Sequence, residues 1–219
     1  MDKVKLQELV DNMPAIPGIN GKEEYFNSAV LVLLMLMDEE YHFVFQKRSA
    51  TIRQAGEICF PGGKFDPDKD SDFKETALRE TSEELGVPYD KICIVGVLDT
   101  VISNMGTTVD AFLGILNIKN LEELNINPSE VERIFSVPVS YFEETEPEIY
   151  QVCISAQPSY INEAGEEVVL FPAKELGLPE RYTKPWGNSV NKIYVYRVAG
   201  ETIWGITARL IRDVISRIK

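Results

Sequence analysis

The sequence predicts a single domain, residues 1–219, of mixed α/β (α+β) class. Three observations carry that expectation. Residues 29–37 form a continuous apolar run bounded by polar residues, as in a strand buried on both faces. Residues 72–85 place Phe73, Ala77, Thr81 and Leu85 on one helical stripe with Leu78 beside it. The chain closes with an alternating strand at 192–198, a return strand at 201–204 and an amphipathic helix from about Thr207. At 219 residues the chain suits one sizeable domain with room for an insertion.

Taken in order, residues 3–12 read as a short helix ended by Pro14 and Pro17. The turn at 38–40 joins the 29–37 strand to a hairpin partner at 41–46. An arginine-bearing loop and a short apolar strand then lead into Pro61-Gly62-Gly63, where glycine frees the backbone to turn a carbonyl or amide inward. Ser71 is the expected N-cap of the 72–85 helix and Gly86 its C-terminal glycine. Strands are expected at 92–101 and 108–116, and a capped helical turn at 127–132. Residues 143–191, rich in Pro, Gly and acids, read as an insertion or lid carrying a little sheet. The last helix should bury Leu210, Ile211, Val214 and Ile218.

Composition excludes several function classes. A formal charge of −13 argues against a nucleic-acid partner, which needs clustered Lys and Arg. His42 is the sole histidine, so a His-based triad or zinc site is excluded. Cys59, Cys93 and Cys153 lack metal-type spacing and read as buried free thiols in a reducing compartment. No apolar run is long enough to span a bilayer. The charged first residues do not read as a secretory signal, nor residues 217–219 as a peroxisomal tripeptide. The expectation is a cytoplasmic protein without a membrane or nucleic-acid partner, monomeric or homodimeric.

The chemistry is concentrated on the acidic helix. Glu80 and Glu84 lie one turn apart at the border of the apolar stripe, with Glu83 further round and Arg79 adjoining them. Carboxylates at i, i+4 repel one another. A divalent cation relieves that repulsion, and carboxylates with an inward carbonyl are hard oxygen ligands suited to Mg²⁺ or Mn²⁺. The expected ligands are Glu80, Glu84 and the Gly63 carbonyl, with Glu83 as ligand or water-positioning group and Arg79 orienting the glutamates. Such a site suits attack of water on a diphosphate phosphorus. A carboxylate not fully committed to the metal can take the water's proton.

The segment resembles the Nudix hydrolase signature: glycine, five residues, Glu, seven residues, Arg-Glu-apolar-x-Glu-Glu-x-Gly-apolar. Arg79-Glu80, Glu83-Glu84, Gly86 and Val87 match it. Thr81 takes the usual apolar position, and the loop from Gly63 to Arg79 is two residues longer than standard, so Asp70 or Ser71 lies nearest the upstream Glu. Upstream, Arg48-Ser49, Arg53, Gly56 and Phe60-Pro61-Gly62-Gly63 resemble the motif of the coenzyme A pyrophosphatase subfamily, with the Arg53–Gly56 spacing one residue short. Trp204-Gly205-Ile206-Thr207-Ala208-Arg209 is similar to that subfamily's closing motif.

The resemblance implies a Nudix-type αβα sandwich on a mixed sheet, with the signature as a loop–helix–loop. It implies Mg²⁺- or Mn²⁺-dependent hydrolysis of the diphosphate of coenzyme A or acyl-coenzyme A. The products would be 3′,5′-adenosine bisphosphate and (acyl-)4′-phosphopantetheine. Arg48 and Arg53 would contact substrate phosphates, a task suited to the guanidinium fork. Some Nudix enzymes use a distant glutamate as general base, so the resemblance leaves that role open among Glu83, Glu130 and Glu132. The alternatives are a Nudix enzyme for another nucleoside diphosphate, such as ADP-ribose or a dinucleotide, and a domain that senses a nucleotide without turning it over.

Overall fold

A computed structural model describes residues 1–218. In chain order the elements are α1 (Lys3–Asp11), β1 (Phe26–Met37), β2 (Glu40–Arg48), β3 (Ile58–Cys59), β4 (Gly62–Lys64), α2 (Phe73–Leu85), β5 (Ile92–Val97), β6 (Val101–Ser103) and β7 (Thr107–Leu116). There follow β8 (Val131–Pro138), α3 (Val139–Glu144), β9 (Glu148–Ala156), β10 (Ser159–Ile161), β11 (Glu167–Val169), β12 (Trp186–Val198), β13 (Glu201–Trp204) and α4 (Gly205–Ile218).

The organising element is β1. It is central in an eight-stranded sheet ordered β3-β2-β1-β7-β5, with β4 paired to β1, β6 to β7 and β8 to β2. It runs antiparallel to β2 and parallel to β7, so the sheet is mixed. Successive β1 side chains face opposite ways. Ala29, Leu31, Leu33 and Met35 pack with Ala77 and Leu85 of α2. Val32 instead joins Phe43, Phe45, Phe142 and the α4 residues Leu210, Ile211 and Val214. Two apolar clusters therefore cover the two faces, giving helix, sheet and helix in three layers.

Helix α2 begins one residue later than its sequence suggests. Asp72 and not Ser71 is the N-cap, its Oδ1 accepting from the Glu75 amide at 2.8 Å. The Ser71 amide instead donates to Glu75 Oε2, so the two residues divide the capping work. Thr81 is fully buried, and its hydroxyl donates to the Ala77 carbonyl at 2.7 Å, which lets a polar residue sit on the apolar stripe. Gly86 ends the helix in the left-handed region, φ 62°. A side chain there would also overlap the carbonyl of Asn125, whose loop packs against the helix end through the Asn127 amide to the Glu84 carbonyl.

Several expectations are corrected. The 92–101 strand is broken at 98–100 into β5 and β6, with a bulge between Ile94 and Gly96 opposite β7. Cys93 is exposed because β5 is an edge strand that turns Ile92 inward, and Cys153 is exposed on β9. The capped turn expected at 127–132 is present but shorter: Asn127 Oδ1 accepts from the Ser129 amide and hydroxyl, its carbonyl accepts from the Val131 amide at 2.8 Å, and β8 already begins at Val131. Helix α1 buries none of its residues. In α4, Ile215 is buried where Ile218 was expected, because Ile218 lies at the exposed end. The boundary drawn at 191 falls inside β12, which pairs along its length with β9 and then with β13. Segment 143–191 is thus joined to the closing strands through one continuous sheet.

Gly86→Ala should destabilise the protein by roughly 1–3 kcal/mol from the left-handed backbone alone, with the Asn125 overlap adding to it. Urea unfolding measures this, and a change within error would contradict the packing described for the helix end.

Candidate active site

The site is assembled where the Gly62–Gly63 turn passes the C-terminal half of α2. Strand β4 pairs with β1 through Val30↔Gly62 and Ala29↔Gly63. That pairing presses Gly63 so closely on α2 that a Cβ there would overlap the Glu80 carboxylate. Gly62 is as tightly placed, with no room for a Cβ beside the Ala29 carbonyl. Gly63 is needed for close approach of backbone to carboxylate, and Gly62 for its close packing on β1. The Gly62 amide donates to Glu84 Oε2 at 2.9 Å.

Arg79 is the hub of the outer side. Its Nε and Nη2 donate to the two Asp70 carboxylate oxygens at 2.7 and 2.9 Å, a bidentate pairing. Its Nη1 donates to Glu80 Oε1 at 2.8 Å and to Glu83 Oε2 at 3.1 Å. Asp70 is buried and also accepts from Thr76 Oγ1 and the Asp66 amide. The longer loop thus supplies Asp70, not Ser71, as the anchor of Arg79. Bonding to the Arg79 guanidinium holds the Asp70 carboxyl far below the usual carboxylate range. Arg79 is held above its usual value, chiefly by Asp70.

The three glutamates occupy different environments. Glu84 is 3% exposed, and burial pushes its carboxyl up to about 7 against the opposing Gly62 hydrogen bond. Glu80 is partly buried; desolvation raises it and Arg79 pulls it back. Glu83 has a side chain 56% exposed and points to the rim, tied to Arg79. Glu130 is near enough to Glu80 for its charge to disfavour ionisation there. Glu132 faces elsewhere, 3.6 Å from Lys47 Nζ.

The two substrate-binding candidates separate. The Arg48 Nε donates to the Arg53 carbonyl at 3.1 Å, and its charge is one of the smaller influences favouring ionised Glu84. Arg53 is exposed, so its backbone steadies Arg48 while its own side chain is not drawn in. An open cleft of about 290 Å³ borders Arg79 and Glu80, with Lys64 and Lys69 on its walls.

Among the described residues no three carboxylate, histidine or cysteine side chains converge as a ready-made metal cage. The donors nevertheless fit a hard divalent cation. Two carboxylates raised by burial adjoin backbone with no intervening side chain. Mg²⁺ is commonly bound by one or two carboxylates, with waters and substrate phosphates completing the shell. Two features were missed or left unassigned by sequence reasoning. Asp70 was only the nearest equivalent of an upstream acid; its signal was its place just before the N-cap. Gln46 is fully buried beside Glu84, and its signal was one amide ending an apolar strand.

An α/β/α sandwich that packs two desolvated glutamates of a loop–helix–loop against a glycine turn defines a class of pyrophosphohydrolases. The chain belongs to the Nudix family, whose NUDIX domain profile matches residues 26–192. Nudix hydrolases generally need divalent metal ions. An uncharacterised Nudix hydrolase of Photorhabdus laumondii is 29% identical over 192 residues, 87% of this chain and 84% of that protein. A mitochondrial coenzyme A diphosphatase of Mus musculus is 37% identical over 125 residues, 56% of this chain. A peroxisomal coenzyme A diphosphatase of the same organism is 35% identical over 123 residues, also 56% of this chain. The matches span 59% and 50% of those two relatives' lengths. Among solved structures, a MutT/nudix family protein from Enterococcus faecalis aligns with 100% of this chain and 70% of its own, at 11% identity and TM-score 0.49.

The opposite shifts of Asp70 and Glu84 give opposite pH signatures. Asp70, lowered on folding, stabilises the protein above its unfolded value and loses that contribution only as pH falls through its depressed folded value. Asp70→Asn should cost roughly 3–5 kcal/mol at neutral pH by leaving Arg79 short of its partner. Glu84, at about 7 folded against 4.5 ordinarily, binds more protons folded than unfolded, so metal-free stability should fall as pH rises from 4.5 to 7. Glu84→Gln should remove that slope and stabilise the metal-free protein at pH 8 by on the order of 3 kcal/mol. Urea titrations in chelator test both; unchanged metal-free stability at pH 8 in Glu84→Gln would contradict the burial described.

Proposed function

We propose that the chain hydrolyses the diphosphate of coenzyme A or acyl-coenzyme A, giving 3′,5′-adenosine bisphosphate and (acyl-)4′-phosphopantetheine. The observation that carries this is the packing of Gly62 and Gly63, which end the subfamily-like upstream motif, against the Glu80 and Glu84 carboxylates. The likeness of the upstream motif and the kinship to two coenzyme A diphosphatases support the substrate class. We assign the protein to the cytoplasm on its sequence features, and residues 143–191 to the wall that selects the substrate.

Glu80, Glu84 and the Gly63 carbonyl would hold Mg²⁺ or Mn²⁺. When bound, the cation neutralises phosphate oxygens and lowers the pKa of water. Glu83, exposed and held to Arg79 by one hydrogen bond, completes the ligand set or orients the attacking water. Arg79 fixes the Glu80 carboxylate while Asp70 fixes Arg79. Glu130, on the loop before β8, takes the proton from water as oxygen bonds to phosphorus and the bridging P–O bond breaks. Arg48 binds a substrate phosphate through its guanidinium.

Incubation with coenzyme A, acyl-coenzyme A, ADP-ribose, NADH and diadenosine polyphosphates, with chromatographic separation of products, tests the substrate. Phosphopantetheine release is expected; turnover of ADP-ribose alone would contradict the proposal. Glu80→Gln and Glu84→Gln should each lower kcat by on the order of 10³, about 4 kcal/mol. Arg48→Ala should raise KM for coenzyme A by roughly tenfold or more, as for loss of a charge-assisted hydrogen bond. Near-wild-type kinetics in the glutamate variants would refute their assignment as ligands.

A further inference from the structure

Strand β9 is the outer strand of the sheet ordered β13-β12-β9. It pairs with β12 from Glu148↔Val195 to Ala156↔Trp186. Among the described residues no backbone hydrogen bond reaches its other edge. Strand β13 flanks β12 only over Val195–Val198, so the rest of β12 and β9 form a two-stranded ribbon. Residues 148–153 are all exposed, on both faces of that ribbon, and Ile149, Tyr150 and Val152 are among them. Two strands alone are marginally stable in water, and a third is needed. The two edges of the ribbon differ. Natural edge strands are blunted by Lys, Pro or bulges. The β12 edge carries Lys192 and a register irregularity between Trp186 and Ser189. Strand β9 runs nine residues with no Lys, Arg or Pro. Its one charge, Glu148, is neutralised within the chain by Arg197 Nε at 2.8 Å.

We infer that β9 pairs with the β9 of a second copy of this chain, antiparallel about a two-fold axis at Val152, so that the two small sheets become one. An open strand edge accepts another strand, and a two-fold axis brings one patch onto itself. Val152 is the midpoint of β9, so this register pairs the strand along its whole length. Tyr150 then faces the partner's Ile154, Gln151 the partner's Cys153, and Glu148 the partner's Ala156. The row Tyr150, Val152 and Ile154 meets its own copy, the cross-strand contact that stabilises sheets. Charge favours this occupant. Two chains of net charge −13 repel over most of their surfaces, but here no unpaired acid lies on the joining strand. The inference does not depend on the metal site or on the substrate.

Analytical ultracentrifugation of the full chain at micromolar concentration is the test, and wild type should sediment as a dimer. Val152→Lys and Val152→Glu each set like charges across the two-fold axis, and each should weaken association by on the order of 100-fold or more. An equimolar mixture of the two variants sets Lys against Glu and should restore the dimer, which a change confined to one chain's folding would not do. Far-UV circular dichroism verifies that each variant folds. Should either fail, amide hydrogen exchange of wild type decides: the outward amides of β9 should gain protection as concentration rises through the dimer range. A wild-type monomer, which would leave the edge to another protein's strand, would overturn the inference. So would a dimer that both variants leave intact, a mixture that stays monomeric, or β9 exchange that does not change with concentration.

Discussion

Everything at the site depends on taking the Glu84 carboxylate out of water. A buried carboxylate resists ionisation, and a second acid one turn back on the same helix face adds repulsion. The fold compensates only in part. One amide from the glycine turn, the Gln46 side chain and the distant charge of Arg48 favour the ionised form, and burial still prevails, leaving the carboxyl near 7. The remainder is an unmet demand for positive charge, located where the backbone of Gly62–Gly63 is barest. That unmet demand is what the proposed cation would answer.

The contrast with the outer side is instructive. Asp70 is as buried as Glu84, yet it carries a bidentate arginine, a threonine hydroxyl and a backbone amide. Its charge is satisfied within the protein, and it has no capacity left for a ligand. Arg79 in turn spends its remaining donor on Glu80 and Glu83. Two acids of nearly equal burial, 4% and 3% exposed, are therefore partnered differently: Asp70 fastens the loop to the helix, while Glu84 is left short of donors. Burial alone does not distinguish them; the count of hydrogen-bond donors does.

Much of this was legible in the sequence. The 29–37 run predicted a strand buried on both faces, and β1 is that strand, extended by pairing with β7 beyond the apolar run. The i, i+4 placement of Glu80 and Glu84 beside the apolar stripe anticipated their partial desolvation, and Glu83 falls outside as the 100° rotation requires. What was not legible depended on partners distant in sequence. Glu130 and Glu132 are indistinguishable in sequence, and only the pairing of β8 with β2 sets Glu132 beside Lys47. The extent of β12 was hidden because its first half carries no apolar alternation; pairing with β9 defines it. Arg48 and Arg53 looked equivalent as phosphate contacts, and the loop between them uses one side chain and one carbonyl.

The central claim is that the buried carboxylates and the glycine turn form one divalent-cation site. Anomalous diffraction from crystals soaked in Mn²⁺ tests it most directly. The account predicts an anomalous peak contacted by Glu80, Glu84 and the Gly63 carbonyl. A peak confined to exposed acids such as Glu132, with none at Glu84, would contradict it.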